Sequence, residues 1–170
     1  MRRFLARLIV LALSVLPLAA ASPTAPWIGD WSGVLEYRDY KPPHGRVSLP
    51  TKLSVTSTPA EPATFLLRFV YDDGPGKIVK SASRLSLDLP ARRLVWSSEG
   101  KPSTPADIYE LIESSPSGDR LVFLGQSTDD DKPSRIRYTF TTAANSWRIL
   151  KETTSDGPEF AFRHEYRLTK

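Results

Sequence analysis

Apolar residues recur at every second position over most of this chain. Between Glu159 and Leu168, Phe160, Phe162, His164, Tyr166 and Leu168 share one face, and Arg163, Glu165 and Arg167 share the other. That alternation predicts a half-buried strand with its charges in water. Trp31, Leu35 and Tyr37 alternate with Ser32, Glu36 and Arg38 over Asp30–Arg38, the first strand, where Gly33 marks a close approach of another backbone or side chain. Further strands are predicted over Val47–Ser57, with Pro50 implying an edge or bulge near its start, and over Thr64–Asp72. Ile78–Leu89, as one strand or two, and Leu94–Ser98 follow.

The segment Thr104–Glu113 carries two patterns. Thr104, Pro105 and Asp107 resemble a helix start, and Ile108, Leu111 and Ile112 have helical spacing. The run is short and Ser114–Gly118 ends it abruptly, so it reads more readily as a strand. Leu121–Ser127, Arg135–Thr142 and Trp147–Thr153 complete the series, with a loop at Asp129–Pro133 and a tight turn at Ala144-Asn145.

Turn chemistry separates these runs, as at Asp72-Asp73-Gly74-Pro75-Gly76, where Asp and Gly tolerate left-handed backbone. Fifteen prolines scattered along the chain argue against helices. The result is an all-β fold, predicted as an antiparallel up-and-down barrel of about 8–10 strands, with a β-sandwich as the alternative. Short links make each strand the neighbour of the next, and a meander of this kind escapes raw edges by closing on itself. The last strand would then lie beside the first.

The chain opens on a predicted signal peptide, residues 1–21. Arg2, Arg3 and Arg7 form a basic start, Leu8–Leu18 is apolar but too short to span a bilayer, and Ala19-Ala20-Ala21 supplies small residues for cleavage. Residues 22–26 form a leader and 27–170 the barrel domain. The expected product is exported, periplasmic or extracellular, with no stable membrane span after cleavage.

Charge changes with that reading. The precursor has 23 Lys+Arg against 19 Asp+Glu, and removing three arginines leaves the mature chain close to neutral. No clustered basic face is apparent, so nucleic acid is not an expected partner. The chain has no cysteine, which excludes disulfides, a thiol nucleophile and a Cys-ligated metal.

Candidate chemistry is sparse. A serine triad would need His44 or His164, and no activated-serine motif accompanies either. Glu110 and Glu113 are the nearest carboxylates to a glycosidase pair, and read more simply as surface residues. Asp129-Asp130-Asp131 and Asp72-Asp73 lack calcium-loop spacing and read as solvated turns. Gly74-Pro75-Gly76-Lys77 lacks the spacing of a phosphate loop. The chain is therefore read as non-catalytic.

The aromatic residues Trp31, Trp96, Phe123, Tyr138, Trp147 and Phe162 are able to line a ligand cavity, with His164, Tyr166, Tyr37 and Arg38 as polar groups if the lumen is open. The ligand-binding set is Trp31, Tyr37, Trp96, Tyr138, Phe162 and His164. The expected ligand is a small hydrophobic or amphipathic molecule or a cell-envelope component. An interaction or inhibitor module acting through loops Asp39–Arg46 and Ser127–Ser134 is an alternative.

Gly29-Asp30-Trp31 resembles the opening of the lipocalin-like (calycin) group of exported barrels. In that group Gly-x-Trp begins the first strand and a late Arg packs over the Trp. The resemblance covers 27–170, matches Trp31 to the first element, and implies Arg163 or Arg167 for the second. The run Gly29-Asp30-Trp31-Ser32-Gly33 with Tyr37, and His164 near the C-terminus, are also similar to nitrobindin-type barrels. That resemblance implies haem as a cofactor, with His164 as its axial ligand.

Overall fold

The computed structural model describes residues 24–39, 41, 45–100 and 105–170. The predicted signal peptide, His44 and Thr104 lie outside the described residues. Ten strands follow a short 3-10 turn, Ala25–Trp27: β1 Gly29–Arg38, β2 Arg46–Thr58, β3 Glu61–Asp72, β4 Ile78–Asp88, β5 Arg93–Ser98, β6 Asp107–Ser114, β7 Arg120–Asp129, β8 Lys132–Ala143, β9 Ser146–Thr154 and β10 Ala161–Thr169. Each pairs antiparallel with its successor, and β10 pairs with β1, closing the wall into a barrel. The ambiguous sixth segment is a strand. Its Tyr109 and Leu111 point inward, while Ile108 and Ile112 stay exposed, so alternation overrides the helical spacing.

The closing seam runs from Ser32 opposite Thr169 to Tyr37 opposite His164. Gly33 makes it possible: a Cβ there would fall 2.0 Å from the carbonyl oxygen of Arg167. Pro50 sits where β2 outruns β3, whose pairing begins at Thr51, so its missing N–H breaks no ladder on that side. The predicted loop at Asp129–Pro133 is shorter than expected. Asp130 and Asp131 alone form the turn, both at positive φ, and pairing resumes with Asp129 opposite Lys132. Most of the proposed interaction loop Ser127–Ser134 is therefore ladder.

The base of the barrel is packed solid. Trp27 folds into it from the 3-10 turn, with ring centroids 5.1 Å from Trp147, 5.3 Å from Phe65 and 5.4 Å from Phe140. Its carbonyl accepts the indole N–H of Trp31 at 2.8 Å. The cation over Trp31 is neither Arg163 nor Arg167. Lys170 fills that place, its Nζ 4.5 Å from the ring centroid and bonded to the carbonyls of Pro26 and Ile28. Arg167 points outward and pairs with Glu36 and Glu165. Trp31 sits on the wall beside the chain's end, which brings Lys170, just past β10, within reach.

Candidate functional site

The end of the barrel opposite Trp27 is different. Inward positions at this end include polar and aromatic residues, and part of the inner wall is open. Val79 and Ser81 share the inward phase of Leu85 and Leu87, yet Val79 is 41% exposed and Ser81 is also exposed. On β5, Ser98 continues the inward row of Leu94 and Trp96 and is exposed as well. Solvent thus reaches the inner face of these two strands only at the end of β4 and the end of β5, and this end of the wall is open like the mouth of a cup.

Aromatic rings make the floor of the cup. Trp96 stacks on Tyr138 at 5.0 Å, and Tyr109 meets Tyr138 edge-on at 5.2 Å. His164 lies 6.5 Å from Tyr138 and 5.5 Å from Tyr166, and Tyr166 packs 5.0 Å from Phe69. Gly125 lets Tyr109 lean into place, since a Cβ there would fall 2.6 Å from its Cδ1.

Several polar groups of the cup meet one another. The hydroxyls of Tyr71 and Tyr166 are 2.9 Å apart, and Tyr71 also reaches Ser81 at 3.3 Å. Ser127 donates to Asp107 at 2.6 Å. Asp129 accepts from Lys151 at 2.9 Å, from Arg163 at 3.1 Å and from Thr153 at 3.4 Å. Burial pushes the phenols of Tyr71, Tyr109, Tyr138 and Tyr166 above their usual value, and the carboxylates of Asp107 and Asp129 add to the effect at Tyr138. All four stay protonated at neutral pH.

His164 is packed on nearly every side but keeps some accessible surface, as a group on the wall of a cup should. Burial, with Lys151 and Arg163 alongside, lowers its pKa to about 3, against the opposing effect of Asp129. Its unfolded value is higher, about 6.5, so the unfolded chain takes up the extra proton first as pH falls. The neutral imidazole contributes stability that is complete above about pH 6.5 and is lost as the pH drops toward 3. Between pH 7 and pH 4 the wild type should lose on the order of 2 kcal/mol more than His164→Gln, a figure reduced for partial exposure. Urea midpoints of both proteins at the two pH values measure this, and parallel losses would exclude it.

The sequence-predicted residues divide into groups. Trp96, Tyr138 and His164 meet in the cup, and Tyr37 stands on the rim opposite His164. Trp31, with Phe123 and Trp147, belongs to the packed core instead, none more than 3% exposed. Phe162 is on the outer face: a bulge between Phe162 and His164 inserts one residue and flips the alternation. Phe162 therefore lies opposite the outward Glu152, with the Arg46 guanidinium 4.0 Å above its ring. The same bulge turns Arg163, expected on the outer face, toward Asp129. Asp129 is not a solvated turn residue, its side chain being only 9% exposed. Arg38, Glu110 and Glu113 are exposed on the outside.

Asp107, Tyr109, Asp129, Lys151, Tyr71 and Arg163 complete the site and were missed. For four of them the signal was present: Asp129 continues the inward row of Phe123, Gly125 and Ser127, Lys151 that of Trp147 and Ile149, and Asp107 and Tyr109 that of Leu111.

Haem is a poor fit to this packing: Tyr138 and Tyr166, both below 9% exposed, lie with ring centroids 6.5 and 5.5 Å from the imidazole of His164. No group of three or more metal-ligating side chains gathers among the described residues.

No family model matches the chain, and no curated protein is similar to it in sequence. The fold is similar to that of Rv2717c from M. tuberculosis, with a TM-score of 0.56 at 11% sequence identity. The match covers 88% of this chain and 98% of that one. Likeness at this identity shows the barrel alone.

Proposed function

We propose that this protein is an exported, non-catalytic barrel that binds a small apolar or amphipathic molecule in the cup above its tyrosine floor. One observation carries the reading: inward-facing Val79, Ser81 and Ser98 are exposed to solvent although the opposite end of the barrel is sealed. Rings able to contact an apolar body lie beside that opening, and convergent hydroxyls and charges are available to orient it. The lipocalin-like resemblance is supported by Gly29-Asp30-Trp31 at the base and by Lys170 over the Trp31 ring, a lysine standing where that group places an arginine.

The test is titration of the mature protein with a neutral apolar fluorophore, N-phenyl-1-naphthylamine. Saturable binding at one site is expected. Trp96→Ala should weaken it about tenfold, the equivalent of losing about 1.4 kcal/mol of ring contact. Ser98→Trp, on the exposed inner rim, should block it while leaving the unfolding midpoint unchanged. Absence of saturable binding, or binding indifferent to both substitutions, overturns the reading.

A further inference from the structure

The inner face at the mouth has two unlike sides. One carries Asp107, Asp129, Lys151 and Arg163, with Asp129 accepting from both cations and Ser127 donating to Asp107. Asp107, Asp129 and Arg163 all act on the phenol of Tyr138, and Lys151 lies opposite that residue, so these charges balance within one neighbourhood. A charged head brought in beside them would leave one charge unmatched where water is scarce. On β1 and β2 the inward positions nearest the mouth are apolar instead. Leu35 lies opposite Leu49 and Tyr37 opposite Val47, all four half-buried, with Leu35 and Leu49 packed on the core below. His164 stands where the two sides meet, opposite Tyr37 across the seam and opposite Lys151 on β9. Its ring faces Tyr138 and Tyr166, so the surface it keeps belongs to the cup. No residue among those described hydrogen-bonds either ring nitrogen, and neither nitrogen is sealed from solvent, as Nε1 of Trp147 is. A neutral imidazole thus offers one donor and one acceptor to whatever enters.

We propose that the ligand of the cup is an uncharged amphipathic alcohol, its hydroxyl hydrogen-bonded to the imidazole of His164 and its apolar body laid along Leu35, Tyr37, Val47 and Leu49. A hydroxyl both donates and accepts, so it matches either ring nitrogen, whichever carries the proton. This rests on the binding function proposed above and adds the chemical class of ligand and the wall it lies on.

Displacement of N-phenyl-1-naphthylamine from the mature protein at neutral pH tests it, with decanol, decanoate, decyltrimethylammonium and hexanol as competitors. Decanol should compete about tenfold or more better than either ion, since each ion adds an unmatched charge. Hexanol should be about a hundredfold weaker than decanol, the effect of four methylenes no longer buried. Relative to the fluorophore, His164→Phe should weaken decanol about tenfold through the lost hydrogen bond. His164→Gln, which keeps a donor and an acceptor, should retain most of the decanol affinity. The order of the competitors on wild type is read without any variant. Either ion matching decanol overturns the uncharged head, and decanol indifferent to His164→Phe overturns its contact with the imidazole. Hexanol within about threefold of decanol overturns the apolar body. Fluorophore bound but not displaced by decanol overturns this proposal and leaves the binding function. Failure of the fluorophore to bind overturns both.

Discussion

Gly33→Ala is expected to break the seam that closes the barrel. The added methyl group would lie 2.0 Å from the Arg167 carbonyl oxygen and 3.0 Å from the Leu168 Cα. Both obstacles are backbone, so no rotamer change relieves the clash, and β1 and β10 must separate where they pair. Overpacking in a core costs about 1–3 kcal/mol when side chains are able to shift, and here the loss should reach about 3 kcal/mol or more. Equilibrium urea unfolding of wild type and variant measures it, and hydrogen exchange locates it. Amides of β1 and β10 should lose protection first. A variant within about 0.5 kcal/mol of wild type, the range of a neutral surface change, would show that the seam is looser than described.

Trp27→Ala should cost a comparable amount. Trp27 is 1% exposed and packs on three aromatic rings, so its removal empties the base of the barrel. Truncations of this kind cost about 3–5 kcal/mol, because rings fixed in a closed wall collapse only partly into the space. Thermal unfolding should show the midpoint lowered by about 10 °C. The indole N–H of Trp147 already has no hydrogen-bond partner among the described residues. Trp27 stacks on that ring at 19°, so its loss would also change the near-UV dichroism of the cluster. A cost below about 1 kcal/mol would mean that Trp27 is a lid rather than part of the core.

The strands of this fold were legible because alternation is local. Leu85 and Leu87 against Ser86 and Asp88, or Trp147 and Ile149 against Arg148, announce a strand and its inward face from a handful of residues. Closure was legible too, since every link is short and an apolar last strand needs a neighbour. What alternation does not reveal is a change of phase. The bulge before His164 moved Phe162 out of the predicted site and Arg163 into it, and nothing in Ala161-Phe162-Arg163-His164 advertises an inserted residue.

Composition misled in a second way. Asp129 heads a run of three acidic residues, which suggests water, yet it ends the inward row of β7 and meets Lys151 from β9. Its partner is 22 positions away in sequence, so the pair becomes visible only once strand neighbours are known. Lys170 over Trp31 has the same character across the closing seam. Half of the cup was thus readable as aromatic inward positions, and the other half needed register.

The pairing of first strand with last also governs when this fold is able to exist. A growing polypeptide on the ribosome holds β1 with one side unmatched until Leu168 and Thr169 have been made, because that side of β1 pairs with β10. Contacts so distant in sequence are slow to form, and their entropy must be met before any reward arrives. The barrel therefore has no closed form until β10 is available, and until then the chain is still a strip that a channel could thread, as the export proposed above would require.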